Sequence, residues 1–203
     1  MKKKLLIATR NPAKLKEYKI LLKDLPIELV SLKELNIQDK VKEDGKSYQE
    51  NAKKKAIFYS KLRGLPTLAD DGGLEVDYLN GEPGIKSRRW PGYEASDEEL
   101  IRIILEKMKG IPFSKRGAKF RAVISLVFPG DKKNYTFEGI LRGYITEKPI
   151  AQRFNGYPFR SVFYLPKYKK VFAELPQDRE AEISHRKTAI KKAIPLLRKE
   201  FVI

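Results

Sequence analysis

The 203-residue sequence contains no cysteine, which removes disulfides, thiolate metal sites and cysteine nucleophiles together and makes an intracellular protein the simpler expectation. It has a single histidine, His185, too few for a zinc site without thiolates. A serine triad lacks a Gly-x-Ser-x-Gly elbow to start from. Long apolar runs are missing as well. The basic start Met1-Lys2-Lys3-Lys4 leads only into Leu5-Leu6-Ile7-Ala8 before polar residues return, too short for a signal core or a membrane span. A soluble, unexported, cytoplasmic protein without a membrane partner is expected. Acidic residues are in deficit: 26 Asp plus Glu face 43 Lys plus Arg, a net charge of +17. Such an excess attracts polyanions, nucleotides and nucleic acids alike. It equally suits the Lys/Glu-rich surface of a thermophile protein, given 34% charged residues, two Met and twelve Pro.

Repeats, low-complexity tracts and Gly/Ser linkers are also lacking, so one domain over residues 1–203 is expected, long enough to bury its own core. Leu5-Leu6-Ile7-Ala8 reads as a buried strand, followed by Asn11 as helix cap and Pro12 at the first position of a helix over 12–23. A strand over 27–31 and a helix over 48–63 follow, and then Leu68-Ala69 leading into an acidic turn. Ser96-Asp97-Glu98-Glu99 is a capping box for a helix to about Lys109. The β-branched run 120–128, the turn Pro129-Gly130-Asp131 and a return over 134–139 form a hairpin. Ser184 caps a last amphipathic helix through Leu197, with Pro195 as a kink. Alternating strands and helices around a central hairpin give a mixed α/β fold.

Three segments carry candidate chemistry. Thr9-Arg10-Asn11-Pro12-Ala13-Lys14 stands where a strand hands over to a helix N-terminus, with free N–H groups, a hydroxyl, an amide and two cations in reach of a phosphate. The plainer reading is a capped surface helix. In the helix Glu50-Asn51-Ala52-Lys53-Lys54-Lys55-Ala56, Glu50 or Asn51 shares a face with Lys55, against the alternative of a solvated charge run. Asp70-Asp71-Gly72-Gly73 combines poor strand formers with good hard-oxygen ligands for Mg²⁺, and Glu43 offers a further carboxylate upstream. An ordinary Asp-rich turn is the bland alternative. His185 opens the last helix, where the helix dipole lowers an imidazole pKa and N–H groups face anions; a surface histidine beside a cap is the other reading.

Taken in order, several segments resemble the inosine triphosphate pyrophosphatase family. They are Ala8 to Lys14, Glu50-Asn51-Ala52 with Lys55-Ala56, Ala69 to Val76, Asn80 to Ile85 with Ser87 and Arg89, Phe137-Glu138-Gly139 with Gly143 and Ile145, Phe172-Ala173-Glu174-Leu175, and Ile183-Ser184-His185-Arg186. The resemblance implies an elongated twisted sheet flanked by helices, in two lobes with a central cleft, usually as a homodimer. It implies Mg²⁺-dependent hydrolysis of ITP, dITP or XTP to the monophosphate and pyrophosphate. Asp71 matches the proton acceptor and a metal ligand, Glu43 the second metal carboxylate, and Lys55 a catalytic cation near the phosphates. Thr9, Arg10, Asn11, Pro12, Ala13 and Lys14 would hold the phosphates. Gly72, Phe159, Arg160, Glu180, His185 and Arg186 fall at the other substrate-binding positions. With Asp71, Lys55 and Glu43 in place, a nucleic-acid-binding role is the weaker expectation.

The sequence departs from the family pattern in three places. Gly72 stands where the family has Ser, Arg160 where it has Asp, and Glu180 where it has Lys. If Arg160 and Glu180 face each other, the double reversal preserves an ion pair and moves the cation to the opposite wall, where a guanidinium suits a purine 6-oxo group; the alternatives are that neighbouring Arg179 fills the lysine's place, or that the 6-oxo-purine preference is lost in favour of other nucleoside triphosphates.

Overall fold

Strand β1 (Lys4–Ile7) passes directly into helix α1 (Pro12–Leu21) in the computed structural model, which describes residues 3–151 and 156–201. Local sequence sets the corner. Asn11 lies in extended backbone and its side-chain oxygen accepts from the Ala13 and Lys14 N–H groups, while Pro12 takes the first helical position, where its missing N–H goes unmissed. The helix stops short of the expected residue 23, because Leu22 and Leu25 both turn inward and are buried. Strand β2 (Glu28–Ser31) runs parallel to β1, with Leu5 beside Leu29. Helix α2 (Tyr48–Arg63) has the length its sequence predicts. Ser47 caps its first turn by accepting from Glu50, and Gly64, at φ 62°, closes its last.

Strand β3 (Thr67–Val76) corrects one expectation. Asp70-Asp71-Gly72-Gly73 is not a turn at a strand end; it lies inside a continuous ten-residue strand. Propensity disfavours these residues in a sheet, but tertiary partners decide, and both carboxylates find them. Helix α3 (Asp97–Lys107) starts at Ser96, which accepts from Glu99 N–H; the Glu99 carboxylate is taken by the Tyr93 hydroxyl. Strands β4 (Gly117–Val127) and β5 (Asn134–Ile145) form the hairpin, β5 running well past the expected end at Gly139. Then come the short strands β6 (Phe163–Leu165) and β7 (Lys170–Val171), helix α4 (Gln177–Ile183) and helix α5 (His185–Phe201). Helix α5 continues through Pro195 and beyond Leu197, since Ala193, Leu197 and Phe201 form its buried stripe and Pro195 is exposed. Its forerunner Ser184 holds the extended conformation of a cap.

The sheet has the order β2-β1-β3-β4-β5-β6-β7. Pairing is parallel where β1 meets β2 and β3, and antiparallel from β5 to β7, so the fold is mixed α/β. The chain groups into two compact units: Met1–Asp71 with Ala122–Gly139 and His185–Ile203, and Gly72–Arg121 with Ile140–Ser184. In the first, Leu6, Ala8 and Ala69 of the sheet pack on Ala56 and Tyr59 of α2. In the second, Leu74, Ile104, Phe120, Phe163 and Phe172 form the core, with the rings of Phe120 and Phe163 4.5 Å apart. Arg116, fully buried there, donates to the carbonyls of Met108, Ile111, Ile145 and Thr146 and ties their loops together. No helix among the described residues is long and apolar enough to cross a membrane.

Gly139 of β5 matters for the site, because a Cβ there would come within 1.9 Å of the His185 carbonyl and 2.6 Å of the Ala189 nitrogen. Both are backbone atoms of α5 that cannot swing aside. Gly139→Ala should therefore push the first turn of α5 off the sheet and cost about 2–3 kcal/mol of stability in urea denaturation; an unchanged midpoint would show that α5 does not need this close approach.

Candidate active site

A strand points successive side chains to opposite faces, so Asp70 and Asp71 of β3 must look opposite ways. Their partners follow that rule. Asp70, 2% exposed, takes the Lys14 ammonium on one oxygen at 3.2 Å and the Arg186 Nε on the other at 2.9 Å. The Arg186 Nη1 in turn donates to Glu17 at 3.2 Å. Two cations and two carboxylates from α1, β3 and α5 thus share one buried network of zero formal charge. Ions this deep are tolerable only when paired and hydrogen-bonded. Burial pushes the Asp70 carboxyl up, but the facing charges of Lys14 and Arg186 outweigh it and hold it well below the usual carboxylate range. Burial lowers the Lys14 ammonium below an ordinary lysine, with Asp70 resisting the shift and Arg186 adding to it.

On the other face, Asp71 meets helix α2. The Asn51 side-chain NH₂ donates to Asp71 at 2.9 Å, and the Asn51 oxygen accepts the Gly45 N–H at 2.8 Å. One buried carboxamide therefore fastens the β2–α2 loop to β3. Lys55, one helical turn on, lies 2.7 Å from Glu43 and 4.0 Å from Asp71. Burial, with the Glu43 charge adding, raises the Asp71 carboxyl above its ordinary value against the pull of Lys55, Lys14 and Asn51. Lys55 is raised too, since Asp71 and Glu43 outweigh the burial that would lower it. The loop carrying Glu43 is pinned at its start by Arg10, whose Nη2 donates to the carbonyls of Ile37, Gln38 and Asp39 at 3.3, 2.9 and 2.7 Å. Tyr59 adds a hydroxyl bond to Asp39.

The expected phosphate cradle has its own internal hydrogen bonds. The N–H groups of Ala13 and Lys14 are taken by the Asn11 side chain, and that of Asn11 is taken by the Thr9 hydroxyl at 3.2 Å. Pro12 has no N–H to offer. The segment presents its cation Lys14 and an internally satisfied cap, while Arg10 serves the neighbouring loop. Carboxylates Glu43 and Asp71 stand on either side of Lys55, and among the described residues no group of three or more His, Asp or Glu converges as a metal cage.

His185 and Arg186 are both buried at the start of α5. Gly72 follows Asp71 as the first residue of the second unit. Within that unit, Phe159 and Arg160 belong to the short 3₁₀ turn Pro158–Val162. Phe159 is a core residue, edge-on to Trp90 at 6.5 Å. The Arg160 guanidinium lies 3.8 Å from the Tyr157 ring centre and 4.8 Å from that of Phe172, two cation–π contacts for a buried cation. Glu180 is in α4, but its side chain lies outside the described residues, as does the expected pairing with Arg160.

Sequence reasoning placed Asp70 with Asp71 in one acidic turn, and it missed Glu17 and the double duty of Asn51. Strand alternation would have separated Asp70 from Asp71. Glu17 follows Lys14 by one helical turn and precedes Tyr18, so it shares the inward face of α1.

The chain matches the Ham1 family over residues 5–196. A relative described as dITP/XTP pyrophosphatase from Geobacter sulfurreducens is 41% identical over 187 residues, covering 92% of each chain. The dITP/XTP pyrophosphatase of Bacillus subtilis is 36% identical over 195 residues, or 96% of this chain and 97% of the relative. Among solved structures, a HAM1 protein from Coxiella burnetii superposes with a TM-score of 0.85 at 34% identity, covering 97% of this chain and 99% of that one. The Ham1 protein of Staphylococcus aureus gives 0.83 at 35% identity, with 98% and 100% covered.

The adjacent carboxylates should behave oppositely in stability. The lowered Asp70 pKa contributes stability above the ordinary carboxyl range that is lost as pH falls through the lowered value; the raised Asp71 pKa opposes folding once pH exceeds that range. At pH 7, Asp70→Asn should cost about 3 kcal/mol in urea denaturation. Asp71→Asn should leave stability unchanged or raise it by roughly 1 kcal/mol. Equal losses from the two variants would refute the assignment.

Proposed function

Because the chain belongs to the Ham1 family, we propose that it hydrolyses non-canonical purine nucleoside triphosphates, dITP and XTP foremost, to the monophosphate and pyrophosphate. The observation that carries this reading is the arrangement of Glu43, Lys55 and Asp71 on one face of β3 and α2, with Lys14 close enough to act on both aspartates. Such a set offers what cleavage between the α and β phosphates requires. Lys14 and Lys55 oppose the charge of the triphosphate and of the departing pyrophosphate. Asp71, its proton affinity raised by burial, takes a proton from the attacking water, and Asn51 holds its carboxylate in place.

The donor set also suits a hard divalent cation. Glu43 and Asp71 are oxygen ligands, their approach already attracts the Lys55 ammonium, and two protein carboxylates are the usual complement for Mg²⁺ that completes its shell with phosphate oxygens and water. Bound there, Mg²⁺ would supply charge neutralisation on the polyphosphate. His185 and Arg186 belong, in this reading, to the nucleoside end of the substrate. A homodimer in the cytoplasm goes with it.

Arg160 supports a variant of the same reading. A guanidinium against the Tyr157 and Phe172 rings is a donor of a kind that an Asp at this position could not be, so the order of preference among 6-oxo purines is where this chain would differ.

The test is pyrophosphate release with Mg²⁺ over dITP, ITP, XTP, ATP and GTP. The 6-oxo deaminated purines should be preferred over ATP by about tenfold or more in kcat/KM. Asp71→Asn should lower turnover by roughly a thousandfold. A flat profile, release of orthophosphate in place of pyrophosphate, or an active Asp71→Asn enzyme would overturn the reading.

A further inference from the structure

Lys14 lies in the first turn of α1 and Arg186 in the first turn of α5, and Asp70 gives one carboxylate oxygen to each. Glu17, one turn beyond Lys14, holds Arg186 from its other side. Gly139 admits the α5 backbone at the same end of the helix. The first turns of two helices therefore meet at a single buried carboxylate, and Lys14 is near enough to Asp71 to act on it as well.

We infer that Asp70 is a positioning residue that couples the grip of Lys14 on the phosphates to the setting of His185 and Arg186 at the nucleoside end. This rests on the proposed function for which end of the nucleotide each group serves. The physical content is that one rigid anion fixes both cations. Lys14 Nζ and Arg186 Nε are set by the two oxygens of one planar group on a central strand, so a displacement at either cation is passed to the other. Glu17 differs, because its hydrogen bond goes to Arg186, whereas the Lys14 ammonium donates to Asp70. The two acidic residues thus make separable contributions.

Isothermal calorimetry with pyrophosphate and, separately, with the deoxyinosine monophosphate product reads the two ends one at a time, each with Mg²⁺ present. Asp70→Asn should weaken both ligands by about tenfold, whereas Glu17→Gln should weaken the monophosphate and leave pyrophosphate within about twofold. A merely structural role lowers the melting temperature of Asp70→Asn but leaves the affinities of the folded fraction alone, so unchanged affinities would overturn the inference. Should Asp70→Asn not fold, the cycle of Lys14→Met, Arg186→Lys and their double variant decides: shared dependence on Asp70 predicts non-additive losses by about threefold or more, and additivity within about twofold overturns it. Failure of the wild type to release pyrophosphate, with binding and coupling intact, would strike the proposed function alone.

Discussion

Everything near the site depends on one geometric constraint, the alternation of side chains along a strand, applied to two adjacent carboxylates. Because Asp70 and Asp71 cannot share a face, one becomes the centre of a buried, neutral ion network and the other the largely buried acid beside Lys55 and Asn51. The same peptide unit thus serves rigidity and reactivity. Had β3 ended in a turn, both carboxylates would have been free to point into solvent. The opposite pKa directions of the pair are the electrostatic record of that division.

The division also distributes the helices. Helix α2 supplies Asn51 and Lys55 to one face, while α1 and α5 supply Lys14, Glu17 and Arg186 to the other. Neither set is costly alone: the first keeps a polar edge, and the second pairs every charge it buries. Cations dominate the composition, yet the ones that matter here are those facing carboxylates.

How much of this was legible follows from how local each signal is. Asn11-Pro12, Ser47 and Gly64 mark helix ends by bonds made within a few residues, and α2 was placed correctly from end to end. The Asp-Asp-Gly-Gly stretch misled, because propensity weighs a residue against an average surrounding, whereas Asp70 is stabilised by a guanidinium 116 positions away. Over residues 9–14 the cap at Asn11 is legible, but not the bonds by which its side chain takes up the Ala13 and Lys14 N–H groups. Phe159 takes its expected place beside the substrate from its family position alone; the apolar cluster that surrounds it comes from residues distant in sequence and was not legible. The roles of Glu43, Lys55 and Asp71 were suggested by their place in a pattern, and it took the structure to bring Lys55 between the two carboxylates.

Asn51 carries a last implication. Its oxygen must face a backbone donor at Gly45 while its nitrogen faces an acceptor at Asp71, so the hydrogen bonds run in one direction from loop to strand. Volume does not decide what can stand at this position; polarity does. Aspartate has nearly the size of asparagine and leucine its branched outline, but the first presents only acceptors when ionised and the second presents nothing. Chemical ageing of this one amide to an acid would leave the fold's shape intact and set two carboxylates against each other at the place where the loop is tied down.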